Sequence, residues 1–189
     1  MAEQIGVYHL AQNPELFEIQ RNNTFEFVVN GLNGVQRAWS LPGEGAIANA
    51  EEVIRLSVTK AAVPHFEQAV VEVKRGNNTM KFAGVPTYAA GDFEFHDFIG
   101  ADTKAALMAW QNMSYNAETE KVGALARSPY KKTCNLIEYA PDFVPVRTWT
   151  LYGCWISKLQ EGQYSSEDGG KHLITATIQY DYAKLDKAE

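Results

Sequence analysis

The sequence predicts a mainly β protein, a two-sheet β-sandwich or partial barrel with one flanking α-helix. Three observations predict it. Period-two alternation recurs from Phe25 to Lys184, with turn residues between the runs. One stretch, Asp102 to Ser114, reads as an amphipathic helix. Finally, 46% of the 189 residues are hydrophobic and 12% aromatic, enough for a core under a sheet.

Residues 1–23 read as a polar arm, with Pro14 and Asn22-Asn23 and only Leu16, Phe17 and Ile19 as anchors. A β domain is expected over 24–184, with a short tail over 185–189. Phe25, Phe27 and Val29 share one strand face. Asn30-Gly31 and Asn33-Gly34 are turn signals, so a second strand is expected near 35–40. Leu41-Pro42-Gly43-Glu44-Gly45 breaks regular structure. The stretch 42–68 then reads as a long, partly ordered excursion, in which Val53, Ile54, Leu56 and Val58 suggest a strand.

Residues 69–75 and 79–85 flank Gly76-Asn77-Asn78 and predict a hairpin. Residues 92–97 alternate again, with Phe93 and Phe95 on one face. The helix follows. Asp102 is its expected N-cap, and Ala106, Leu107 and Trp110 form the stripe that covers a sheet. Residues 116–129 read as a surface loop and 131–139 as a strand. Arg147 to Leu159 and Leu173 to Lys184 form the strongest strand pair. In the latter, Ile174, Ala176, Ile178 and Tyr180 face the core, and Thr175, Thr177, Gln179 and Asp181 face away.

The formal charge is −6, and a protein that grips phosphate backbones usually carries the opposite sign. No apolar run reaches about 18 residues, so no membrane anchor is expected. Met1-Ala2-Glu3-Gln4 opens no secretory signal, and two cysteines are too few for a disulfide scaffold. Phosphate-binding glycine loops, nucleophile elbows and metal-ligand spacings are absent, so no catalytic residue, metal or cofactor is expected. Glu94, His96 and Asp97 form the densest titratable cluster, read as the solvated face of a strand. Cys134 and Cys154 read as buried small side chains, and Lys131-Lys132 with Arg127 as a solvated basic patch.

The C-terminal third carries a resemblance. Thr148-Trp149-Thr150-Leu151-Tyr152-Gly153-Cys154-Trp155-Ile156 is followed, after a polar loop, by a strand closing in Tyr180-Asp181-Tyr182. Upstream lie a Phe-rich strand, a Leu-Pro-Gly segment, a hairpin, a second Phe-rich strand and a helix with Trp110. In that order the elements resemble the bacteriophage tail tube protein family of contractile tails, a structural relative of type VI secretion tube proteins.

The resemblance implies hexameric rings closing a 24-stranded barrel and stacking into a hollow conduit for genome delivery. It implies self-association as the main partnership, then tail sheath, baseplate and tail terminator proteins, with transient, non-specific passage of DNA. It places the chain in the virion tail, assembled in the host cytoplasm. Thr175, Thr177, Gln179 and Asp181 are the expected lumen face, where part of the acidic charge would repel DNA phosphates. Leu41, Pro42, Gly43, Glu44, Gly45, Glu51, Glu52 and Arg55 are the expected contacts between subunits or rings. The alternatives are the tube of a type VI secretion or phage-derived injection system, and a monomeric β-barrel that binds a small ligand.

Overall fold

The structure is a computed structural model and describes residues 19–36, 45–125, 129–165 and 169–187. The strands are β1 (Phe25–Asn30), β2 (Val58–Lys60), β3 (Phe66–Arg75), β4 (Asn78–Tyr88), β5 (Gly91–His96), β6 (Tyr115–Asn116), β7 (Lys121–Val122), β8 (Lys132–Tyr139), β9 (Pro145–Glu161), β10 (Leu173–Gln179) and β11 (Tyr182–Lys187). The helices are α1 (Ala50–Ser57) and α2 (Thr103–Ser114).

Seven strands form one curled sheet in the order β1-β8-β9-β10-β5-β2, with β11 also on β9. The curl is made by β9. Its first half pairs with β8 and β11, and its second half pairs with β10. Gly153 sits at the changeover with φ +72°, a backbone conformation that a side chain disfavours. The sheet thereby turns its β1–β8 end toward its β10–β5 end. Phe27 of β1 meets Phe93 of β5 at 4.5 Å between ring centroids. Val29, Leu136, Leu151, Ile156, Phe95 and Ile174 fill the space between, all at most 3% exposed.

The helix α2 follows the sequence expectation. The Asp102 side chain accepts a hydrogen bond from the Ala105 amide at 3.2 Å, satisfying a donor that the first turn leaves unpaired. Leu107 and Trp110 are buried, and the Trp110 indole donates to the Tyr130 carbonyl at 3.2 Å. α2 packs against β9 and α1.

Several expectations change. The suggested strand at 53–58 is mostly the helix α1, a second helix beside the expected one. Ala50, Val53, Ile54 and Ser57 are its buried residues, at helical spacing, while Leu56 is 63% exposed. Glu51 and Glu52 in the first turn and Arg55 in the last complement the helix dipole. The partner of β1 is β8, not a strand at 35–40. Val35 makes only a bridge to Ile47, and residues 37–40 lie outside the described residues. The final strand is two strands, broken at Tyr180-Asp181, and residues 185–187 continue β11 rather than starting a tail. The loop at 116–129 contains the small β6–β7 pair.

Candidate lumen wall and assembly surface

The second half of β9 with β10, β5 and β2 makes a four-stranded wall. On β10 the alternation is complete. Ile174, Ala176 and Ile178 are 0% exposed and point into the core, while Thr175, Thr177 and Gln179 point outward. Cross-strand register brings further polar groups to that outer face. Thr175 lies between Glu94 and Gln160, and Thr177 between Asp92 and Lys158. The Thr177 hydroxyl donates to Asp92 Oδ1 at 2.6 Å, and Lys60 pairs with Glu94 at 3.0 Å. Two lysines therefore stand against two carboxylates, and the face is polar with balanced charge.

Asp181, expected beside these residues, stands apart from them. It lies at the break between β10 and β11 and binds Lys131 through both oxygens, at 2.7 and 2.8 Å. That hydrogen bond raises the Lys131 pKa above its ordinary value. The carboxylate also occupies the space that a Cβ on Gly153 would need. Asp181 is thus a fastener at the turn of the sheet.

Of the expected contact loop, Leu41, Pro42, Gly43 and Glu44 lie outside the described residues. Gly45 and Glu52 are exposed. Glu51 and Arg55 are committed inside the chain. Glu51 Oε1 accepts from the amides of Gly31 and Leu32 at 2.7 and 2.8 Å, and Arg55 pairs with Glu26 at 3.2 Å. Arg55 staples α1 to β1, and Glu51 staples it to the turn that follows β1.

The titratable cluster at 94–97 is dispersed. Glu94 faces Lys60, whereas Asp97 pairs with His172 at 3.0 Å on the loop before β10. Cys134 and Cys154 are both 0% exposed, and burial pushes the Cys134 thiol up. Among the described residues, no three His, Cys, Asp or Glu side chains gather as metal ligands, and no helix is long and apolar enough to cross a membrane.

Two features escaped the sequence reading. Lys60 and Lys158 complete the outer face of the wall, and only the register reveals them. The second is the projection of the expected hairpin, β3–β4, away from the rest of the fold. Every residue of β3 is exposed, and so is β4 apart from half-buried Gly84 and Tyr88. Its root is held by Tyr180, whose hydroxyl accepts from the His65 amide at 3.3 Å and whose ring meets Tyr88 at 5.9 Å. The run Ala69-Val70-Val71-Glu72-Val73, apolar on both parities, was the available signal.

Known proteins share this architecture. A chain of the PVC sheath-tube complex in the extended state, from an extracellular contractile injection system, superposes with TM-score 0.61 at 13% identity, covering 98% of this chain and 100% of that one. A chain of the anti-feeding prophage cap, described as a tube terminating cap, gives 0.60 at 14% identity, covering 100% and 98%. A chain of the six-fold symmetrised anti-feeding prophage baseplate gives 0.56 at 12% identity, covering 86% and 91%. At these identities the likeness is one of fold. A search of curated proteins finds no match. The sequence profile described as T4-like virus tail tube protein gp19 matches residues 23–184, most of the chain. The chain belongs to the T4-like virus gp19 tail tube protein family.

Proposed function

We propose that this protein is the building block of the tail tube of a contractile, phage-like particle, and that its rings stack into a conduit for the genome. The observation that carries this reading is the wall β9–β10–β5–β2, polar and charge-balanced outside and packed inside. Among the described residues, its margin β2 bonds to one strand, β5, and β11 bonds to one strand, β9. Uncovered edges invite pairing with another chain, and closing them between copies removes that liability. Six copies per ring is the count we adopt, in keeping with the six-fold baseplate among the structures of like fold. Sheath, baseplate and terminator proteins are the further partners we assign, and the particle's tail is the location.

A conduit needs a surface that does not hold its cargo. Binding of nucleic acid grows with each phosphate neutralised by Lys or Arg. On the outer face of the wall Lys60 is paired with Glu94, and Lys158 stands beside Thr177, whose hydroxyl binds Asp92. The role of this face is therefore to present no net positive charge, rather than the net acidic repulsion the composition suggested. The proposal assigns the chain no chemistry of its own. A ligand-binding barrel fits less well, because Trp110, Phe27, Phe93 and Phe95 fill the interior.

The test is electron microscopy of the concentrated protein, alone and with baseplate complexes as nuclei. Rings or tubes with an open channel are expected. A protein that stays monomeric under both conditions overturns the reading.

A further inference from the structure

Lys132 differs from the other lysines of the fold. It opens β8 two residues before Cys134, so its side chain leaves on the inward face shared by Cys134 and Leu136. Among the described residues the other lysines are ion-paired or exposed, whereas Lys132 is half-buried and makes neither an ion pair nor a hydrogen bond. Its Nζ stands 4.0 Å from the point that a Cβ on Gly31 would take, at the turn after β1. Burial lowers its pKa, and the charge of Glu51 acts the other way. Glu51 is engaged elsewhere, since its Oε1 accepts from the amides of Gly31 and Leu32. Nor does Lys132 cap α2, where the Gln111 and Ser114 carbonyls accept from the Ser114 hydroxyl and the Gly123 amide. A half-desolvated ammonium without a counter-charge carries a cost that a bound anion offsets.

Lys132 lines a cavity of about 390 Å³ between the turn at 31–36 and the C-terminal half of α2. Asn112 and Asn116 line the same cavity, and both are half-buried. The Asn116 side-chain oxygen accepts from the amides of Glu118 and Thr119 at 3.0 and 3.1 Å, so its NH2 group is left to donate. The Asn112 carboxamide makes no hydrogen bond among the described residues. Leu32, Val35 and Met113 add an apolar lining. We propose that this cavity binds a carboxylate carried on a short carbon stem, with Lys132 as its counter-charge and the two asparagines as donors. One point cation matches one negative charge, whereas a phosphate dianion is better served by several cations or by a guanidinium fork. The apolar lining suits the stem, and the volume lies within the roughly 300–1,000 Å³ of small-ligand sites. The same chemistry is offered by a free organic acid and by a glutamate side chain of another protein. The site does not depend on the tube reading, because every group in it belongs to one chain.

The test is an NMR titration of the unassembled, isotope-labelled protein with butyrate and with N-acetyl-glutamate N-methylamide. The controls are N-acetyl-glutamine N-methylamide and inorganic phosphate at equal ionic strength. Either carboxylate is expected to shift the Leu32 and Val35 amides and the Asn112 and Asn116 side-chain NH2 signals, saturating at about 1–10 mM. Both controls are expected to bind at least about tenfold more weakly. Lys132→Met keeps the stem and removes the charge, so it is expected to melt no lower than wild type and to weaken butyrate at least about tenfold. Asn112→Ala is expected to weaken it about threefold, and decides the matter alone if Lys132→Met does not fold. Tighter binding of the glutamate compound than of butyrate upholds the site and assigns it to a protein side chain. The reverse order upholds it and assigns it to a free acid. Shifts that phosphate reproduces mean an adventitious ion only and overturn the proposal. So do shifts that survive both Lys132→Met and Asn112→Ala, or the absence of any saturable shift in wild type.

Discussion

Gly153 is the residue on which the curl of the sheet depends. At φ +72° it lets β9 leave one set of partners and join another, and it leaves room for Asp181. A methyl group there costs about 1–2 kcal/mol for the backbone conformation alone. It also displaces the Asp181 carboxylate, so that Lys131 loses its partner. Lys131 and Asp181 are partly exposed, and the ion pair itself adds little to stability. The larger effect of Gly153→Ala is therefore on the backbone. We predict a loss of about 1–2 kcal/mol in denaturant unfolding for Gly153→Ala, and less than about 1 kcal/mol for Lys131→Met. Equal losses in the two variants would show that the ion pair, not the glycine, sets the turn.

The elements differ in how plainly the sequence announces them. β10 is legible because Ile174, Ala176 and Ile178 alternate with Thr175, Thr177 and Gln179 without a break. α2 is legible because a cap and an apolar stripe coincide at 102–110. α1 is not, because Ile54, Leu56 and Val58 satisfy a period of two while two of its buried positions are Ala50 and Ser57, which carry little apolar signal. The projection of β3–β4 is hidden for another reason: alternation looks the same whether a second layer or a second molecule covers the face. The region before α1 shows the consequence. Ile47 is 5% exposed and exchanges hydrogen bonds with Gly34 and Val35, at 2.8 and 2.9 Å, so this stretch is anchored in the core. A deletion of 45–49 removes that anchor and is expected to destabilise the monomer. Ile47→Ala alone is predicted to cost about 2–4 kcal/mol in thermal or denaturant unfolding. A cost below about 1 kcal/mol would mean that α1 docks without it.

At the scale of the whole molecule, each surface of the wall has one task. The inner face supplies the packing, and in the proposed tube the margins join copies and the outer face meets the cargo. The net charge of −6 does not by itself describe the outer face, where Lys60 and Lys158 stand with Asp92 and Glu94. In a ring each substitution on this face recurs once per copy, so a small local change becomes a belt of charge around the channel. Thr175 lies between Glu94 and Gln160 and is outward and half-buried. Thr175→Lys with Gln160→Lys adds two cations per copy without touching Ile174 or Ala176. The variant is predicted to assemble as wild type does and to retain short double-stranded DNA at low salt, with retention falling steeply as salt rises. Wild-type tubes are predicted to retain none under the same conditions. Filter retention of labelled DNA by preformed tubes measures both. If the lysine variant binds no more DNA than wild type, the outward face of β10 does not line the channel, and the lumen assignment moves to another surface of the ring.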